Sequence, residues 1–422
     1  MDHFRLIDGE LHAEDVPLSR IADEVGTPVY VYSRATFERH ARVFRDALSG
    51  LDRPPHLAFA VKANPNLAVL RLLANEGYGA DVVSGGELAR ALAAGMAAHD
   101  IVFSGVGKTA AELAQGLDAG IGQFNIESGE EGRELAAIAA ARGVVARCAL
   151  RVNPDVDAGT HDKISTGKAD NKFGVPISHA PALFAELSQL PGLDLRGLAV
   201  HIGSQLSDLD PLEQAFGKLG AMLRELRGAG HTITHMDLGG GLGVPYRSGE
   251  VLPTPHAYGA MVARVTRGWD VTVMFEPGRV IAGNAGVLLT RVIRVKRGLN
   301  HPFVIVDAAM NDLARPALYG AWHDFDAVRP SGERMTGNIV GPICETGDTF
   351  ATDRQTDALV AGDLAVFRTA GAYGATMASS YNSRGFVAEV MVDGADYAVV
   401  AERILPAAIA DAERVPDFLT RR

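Results

Sequence analysis

Eight short apolar runs, set apart by helical stretches, constrain this chain more than any other feature. They are LAFAV (57–61), ADVV (80–83), DIVF (100–103), QFNI (123–126), ARCALRV (146–152), LRGLAVHI (195–202), HMDLG (235–239) and VTVMFE (271–276). Between them lie Ala/Leu/Glu-rich segments such as GGELARALAAG and SGEEGRELAAIAAARG, whose apolar residues recur at helical spacing. Strands alternating with helices form a parallel sheet, and eight is the number that closes a (β/α)8 barrel. An open doubly wound sheet is the rival, but its first strand turn carries a Gly-rich fingerprint. Here that turn reads KANPN.

After Arg279 the texture changes. GVLLTRVIRVK, FVIVD, NIVG, DLAVF, GFVAEVMV and YAVV are short β-branched runs separated by Gly, Asp and Pro. That is the pattern of an all-β sandwich or barrel in a second, C-terminal domain. PVYVY (28–32) precedes the first barrel unit and reads as an extra strand of that second domain. The expected division is a barrel over residues 34–280 and a β domain built from 1–33 plus 281–422. A chain of 422 residues is long enough for two cores.

Composition excludes several classes. The formal charge of -11 is spread along the chain, with no basic block for nucleic acid or an anionic membrane. The start, MDHFRLIDGELHAED, has acidic residues where a signal peptide carries positive charge, and no apolar run reaches bilayer-spanning length. The two cysteines, Cys148 and Cys344, are far apart and suggest no disulfide framework. A soluble protein of a reducing cytoplasm is expected. No H-E-x-x-H, C-x-x-C or clustered Asp/His pattern marks a metal site.

Barrel enzymes carry their chemistry on the loops after the strands, and polar residues gather there. Lys62 follows the first strand, Asp81 and Ser84 flank the second, and Arg151 ends the fifth. His201, Ser204 and Gln205 (HIGSQ) end the sixth, Gly239, Gly240 and Gly241 follow the seventh, and Glu276 with Arg279 (FEPGR) ends the eighth. Each alone has a bland explanation: a solvent-reaching lysine, a core histidine, a turn glycine. One amine, one imidazole, one anion cradle and one carboxylate at a single barrel mouth are harder to assign to packing. SGVGKT (104–109) ends like a phosphate-binding loop, but Val102 stands where that pattern needs glycine, so a strand-to-helix turn is expected. In DLGGGLGVPY the glycine spacing is wrong for a dinucleotide fingerprint, and Pro245 interrupts the helix that would follow.

The set suits pyridoxal phosphate chemistry. A lysine amine forms a Schiff base with the cofactor aldehyde, and glycine N–H groups with the Ser204 hydroxyl suit its phosphate. A buried glutamate holds the pyridine nitrogen protonated, and an imidazole stacks on the ring.

AFAVKAN, GADVVSGGEL, HIGSQ, DLGGGLG, FEPGR, GPICETGD and GAYG, in this order, resemble the fold type III pyridoxal phosphate-dependent decarboxylases across nearly the whole chain. HDKISTGKADNKFG (161–174), with its TG and KFG, looks like the bacterial members that act on diaminopimelate more than the ornithine or arginine enzymes. Cys344 is followed by Glu345, where the related ornithine enzymes typically have aspartate. The resemblance implies decarboxylation of meso-2,6-diaminopimelate to L-lysine and carbon dioxide, the last step of bacterial lysine biosynthesis. The alternative is a related decarboxylase acting on another amino acid. Lys62 would be the Schiff-base lysine, His201 would stack on the ring and Glu276 would meet the pyridine nitrogen. Asp81, Ser204, Gly240, Gly241 and the turn of Glu276, Pro277, Gly278 and Arg279 would complete the cofactor site, with Tyr373 near the phosphate. Cys344 would donate the proton to the decarboxylated carbon. Arg279, Arg315, Tyr319, Glu345 and Tyr373 would contact substrate. In the resembled family the Cys344–Glu345 segment reaches the neighbouring subunit's site, so a homodimer with shared sites is implied. The far end of diaminopimelate carries an ammonium and a carboxylate, which suits Arg315 and Arg279 together with Glu345. Without that context Arg315 reads as a helix-end surface arginine.

Overall fold

The computed structural model describes residues 2–159, 161, 166–167 and 171–420. HDKISTGKADNKFG (161–174) therefore lies partly outside the described residues. The chain divides into two compact units, one of residues 37–245 and 251–282, the other of 1–36, 246–250 and 283–422.

The first unit is the expected closed barrel. Its strands are β1 (His56–Ala60), β2 (Gly79–Val82), β3 (Ile101–Phe103), β4 (Gln123–Ile126), β5 (Ala146–Asn153), β6 (Leu193–Ala199), β7 (His235–Asp237) and β8 (Thr272–Phe275). Each pairs in parallel with the next, and β8 returns to β1 with Met274 opposite His56 and Phe275 opposite Leu57. The apolar runs follow from this closure: helices cover the outside and side chains fill the inside, so no strand has a wet face. β2, β3 and β4 are buried at every residue. Ala58, Val102 and Met274, from β1, β3 and β8, pack together as one apolar cluster.

The helices begin where their sequence says they should. Ser84, Thr109 and Ser128 each accept the N–H three residues on, opening helices Gly85–Ala93, Ala110–Ala119 and Gly129–Ala141. Thr109 and Glu112 form a full capping box, so SGVGKT is a strand-to-helix turn as expected. No helix follows the triple glycine until Pro255–Val265.

The second unit is mostly sheet. Gly286–Lys296 is its long central strand, and a register shift between Val292 and Arg294 divides it. The first half pairs with Val29–Ser33 and Leu364–Phe367, the second with Phe303–Val306. Val29–Ser33 pairs on its other side with Ala388–Asp393, which continues to Asp396–Ala401. Phe303–Val306 continues to Arg334–Val340 and Thr349–Asp357. A three-stranded sheet of Phe4–Ile7, Glu10–Ala13 and Val16–Pro17 lies apart from these runs, and Phe325–Ala327 pairs with Leu364–Phe367. Phe4, Leu11, Ile21, Val31, Leu289, Val366 and Val390 belong to one buried core.

Candidate active site

At the carboxyl ends of the barrel strands, β1 runs into a tight turn, Val61–Ala63, that presents Lys62. Its Nζ lies 2.6 Å from Oδ2 of Asp81, a β2 residue with no solvent exposure. The other Asp81 oxygen, Oδ1, is buried and has no hydrogen-bond partner among the described residues. Ser84, also singled out from the sequence, is spent on capping its helix.

Three loops close on one another around the mouth. A Cβ on Gly240 would collide with the Glu276 carbonyl oxygen, and one on Gly241 would sit 2.6 Å from that of Gly203. Only glycine lets these backbones approach so closely, and Gly241 also has φ 113°. The Gly239 carbonyl accepts the Glu276 N–H at 2.8 Å, and the Pro277 carbonyl accepts the Ala60 N–H at 3.1 Å. The Gly278 carbonyl accepts the N–H groups of Ile281 and Ala282 at the start of helix Arg279–Ala282. Gly240 N–H donates to Nδ1 of His201 at 3.2 Å, which places any ring proton on Nε2. Burial, with Arg151 and Lys62 nearby, holds His201 well below the ordinary imidazole value, so the ring is neutral. Arg279, 7% exposed, donates from its guanidinium to Ser204 Oγ at 3.2 Å. The serine hydrogen is left to point elsewhere, so one cation and one hydroxyl donor stand together.

Glu276 is buried beneath these loops. Burial first, then the charges of Asp237 and Asp81, push its carboxyl well above the ordinary range, and Lys62 opposes them. Asn125 on β4 donates to Glu276 Oε1 at 3.3 Å, and Ser104 lies 3.3 Å from the same oxygen. Arg151 pairs with Glu127 at 2.6 Å, and Glu127 also accepts the N–H groups of Gly105 and Gly174. Sequence reasoning missed Ser104, Asn125, Glu127 and Asp237. For Asn125 and Asp237 the available signal was a polar side chain inside an otherwise apolar strand, as in QFNI and HMD, and for Ser104 and Glu127 it was their place just beyond a strand end.

The other expected residues lie in the β unit. Arg315 opens the short helix Arg315–Tyr319 and is 6% exposed. It donates to Nε2 of His323 at 2.7 Å, and its guanidinium carbon is 4.3 Å from the Tyr246 ring centre. The surface reading of Arg315 is therefore wrong: a neutral imidazole and an aromatic face hold its fork inside the fold. Gly320, with φ 59°, ends the helix after Tyr319. Cys344 and Glu345 sit on an exposed loop that Asp348 fastens by accepting the Ile343 and Met310 N–H groups at 2.7 Å each. The Cys344 N–H donates to Asn382, and Tyr381 donates its hydroxyl to Glu345 at 2.7 Å. Tyr373 has φ 55°, a left-handed conformation, in the bend of residues 371–374. Cys148, by contrast, is buried, and burial pushes its thiol well above the ordinary range.

Pyridoxal phosphate offers an aldehyde, an aromatic ring, a basic nitrogen and a phosphate dianion. The amine of Lys62, the neutral ring of His201, the carboxyl of Glu276 and the Arg279–Ser204 donor pair match these four in chemical type, and the buried Asp81 oxygen is an acceptor suited to a bound polar group. The fold and the barrel mouth thus define a pyridoxal phosphate enzyme of the (β/α)8 class. The family model described as "Pyridoxal-dependent decarboxylase, pyridoxal binding domain" matches residues 34–283. The chain belongs to this pyridoxal-dependent decarboxylase family. It is 52% identical to the diaminopimelate decarboxylase of Zymomonas mobilis over 95% of this chain and 96% of that one. It is 53% identical to that of Pseudomonas aeruginosa over 93% and 94%. Among solved structures, diaminopimelate decarboxylase from M. jannaschii in co-complex with L-lysine matches with TM-score 0.95, 34% identity and 99% coverage of both chains. The Helicobacter pylori enzyme complexed with L-lysine matches with TM-score 0.90 and 38% identity, covering 93% of this chain and 98% of that one.

Proposed function

We infer that the chain decarboxylates meso-diaminopimelate to L-lysine with pyridoxal phosphate, the last step of lysine biosynthesis. The observation that carries the reading is the Lys62–Asp81 pair, 2.6 Å apart, at a barrel mouth that also presents Glu276. Bound there, the cofactor supplies an electron sink for the pair left behind when a carboxylate departs as carbon dioxide.

The chain's own residues do the rest. Asp81 is an acceptor 2.6 Å from Lys62 Nζ, so it suits taking a proton from that nitrogen and freeing it for covalent attachment. Arg279, Ser204, Gly240 and Gly241 hold the phosphate end, with Pro277 and Gly278 shaping the turn and Tyr373 adding a hydroxyl. A neutral His201 covers the ring face without bringing positive charge to it. Glu276 keeps a proton at the pyridine nitrogen.

Arg315, Arg279, Tyr319, Tyr373 and Glu345 are the proposed substrate contacts, and Cys344 the proton donor to carbon. A fixed guanidinium selects a carboxylate, and Glu345 a distant ammonium. An exposed thiol on a fastened loop suits a group completed by a second copy of the chain, which supports a homodimer with shared sites. A reducing cytoplasm would keep that thiol unoxidised.

Purified protein incubated with meso-diaminopimelate and pyridoxal phosphate should release lysine and carbon dioxide in equal amounts. Lys62→Ala should lose both this turnover and the visible absorption of covalently held cofactor. Unchanged turnover in that variant would remove Lys62 from its role, and turnover only on a different amino acid would move the substrate assignment.

A further inference from the structure

Asp237 has no task in the reading above, yet it ends β7 with only 1% of its surface exposed. Its Oδ1 accepts the Gly239 N–H at 2.9 Å, and its Oδ2 accepts from Asn125 Nδ2 at 2.9 Å. The same Asn125 nitrogen lies 3.3 Å from Glu276 Oε1 and 3.0 Å from Ser104 Oγ. Gln123 donates to Asn125 Oδ1 at 2.8 Å, which fixes the amide so that its nitrogen faces the acids. Two carboxyl groups thus share one amide donor inside the barrel.

Like charges this close and this dry do not both ionise, so one proton serves the pair. The facing charged groups are Asp81 from β2 and Lys62 after β1, while Ser104, Gln123 and Asn125 are neutral. Burial raises both acids, but hydrogen bonds from Glu276, Asn125 and Gly239 oppose the rise at Asp237, whereas its bond to Asp237 adds to the rise at Glu276. Asp237 accepts two bonds at 2.9 Å while the donors to Glu276 Oε1 stand at 3.3 Å, so the geometry favours the anion on Asp237 and the shared proton on Glu276.

We propose that Asp237 is a positioning residue that acts through Glu276: as a second carboxylate sharing its proton, it keeps the nitrogen end of the cofactor site protonated into the alkaline range. A lone glutamate facing a pyridine nitrogen loses the joint proton once solvent is basic enough. A second anion behind it raises the proton affinity of the whole group. The gain is in cofactor electronics, because an unprotonated ring accepts electrons less readily.

This rests on the cofactor reading, and the test separates the two. Ring-15N-labelled pyridoxal phosphate is loaded into native protein and Asp237→Asn, and the nitrogen signal is followed through a pH titration. In the variant, the midpoint for loss of the nitrogen proton should fall by at least about one pH unit, a tenfold loss of proton affinity. Equal midpoints in two loaded proteins overturn the role of Asp237 and leave the cofactor reading intact. Failure of native protein to bind the labelled cofactor overturns both. If the variant does not fold, infrared spectra of the native apoprotein decide. A protonated-carboxyl band at neutral pH that Glu276→Gln removes supports the shared proton, and its absence from native protein overturns it.

Discussion

Lys108→Met isolates what a buried ion pair contributes beneath this site. Lys108 has no exposed side-chain surface and lies 2.7 Å from Glu131, itself 9% exposed. Its ammonium also donates to the carbonyls of Gly105 at 2.6 Å and Asn125 at 3.0 Å. Removing the lysine leaves a buried carboxylate without its counter-charge, a change that costs about 3–5 kcal/mol. In a domain of this size each kcal/mol moves the melting temperature by roughly 2–4 °C, so a drop of roughly 6–20 °C is expected. The double variant Lys108→Met/Glu131→Leu removes both charges, and it should recover most of the loss, short of about 1 kcal/mol for each deprived carbonyl. Burial already raises the Glu131 carboxyl, with Lys108 opposing, so Lys108→Met raises it further. A raised carboxyl favours the folded state when protonated, and that contribution is lost as pH rises through its folded value. The deficit of the single variant should therefore be smallest below pH ~4.3 and grow towards neutrality. Differential scanning fluorimetry across pH reads both effects. A single variant melting within about 2 °C of native at neutral pH, or a deficit larger in acid, would refute the assignment.

Gly240→Ala should weaken pyridoxal phosphate binding on the order of tenfold or more and cost about 1–3 kcal/mol, because its Cβ meets the Glu276 carbonyl; fluorescence titration and melting check this. Glu345→Gln should raise KM for diaminopimelate well above any change in cofactor affinity, and Tyr381→Phe should do so more weakly, since its hydroxyl only orients Glu345. Mixing inactive Lys62→Ala with inactive Cys344→Ala should restore about a quarter of native activity, because half the random dimers carry one intact site each. Recovery of none would argue that each site is complete within one chain.

The barrel was legible because closure buries most of each strand on both faces, which writes short, mainly apolar runs into the sequence. In the second unit Thr349–Asp357 (TFATDRQTD) escaped notice because its polar alternating residues carry no apolar run. Phe325–Ala327 and the opening strands are too short for a period to show. Within the site, Lys62, His201 and Glu276 were readable from their place just beyond strand ends. Asn125 and Asp237 were not, because a polar residue within a strand looks like an interruption of the core until its neighbours are known. The buried place of Arg315 depends on His323 and Tyr246, partners that local sequence does not announce.

Val29–Ser33 is fully buried and paired on both edges, to Gly286–Lys296 on one side and Ala388–Asp393 on the other. During synthesis this segment leaves the ribosome before the barrel, whereas its second neighbour leaves only after the barrel is complete. At roughly 5–20 residues per second that delay is on the order of tens of seconds. Over that interval a sticky, unpaired ribbon is tethered to a barrel already able to close, so the nascent chain should depend on chaperone shielding of this strand more than of the barrel.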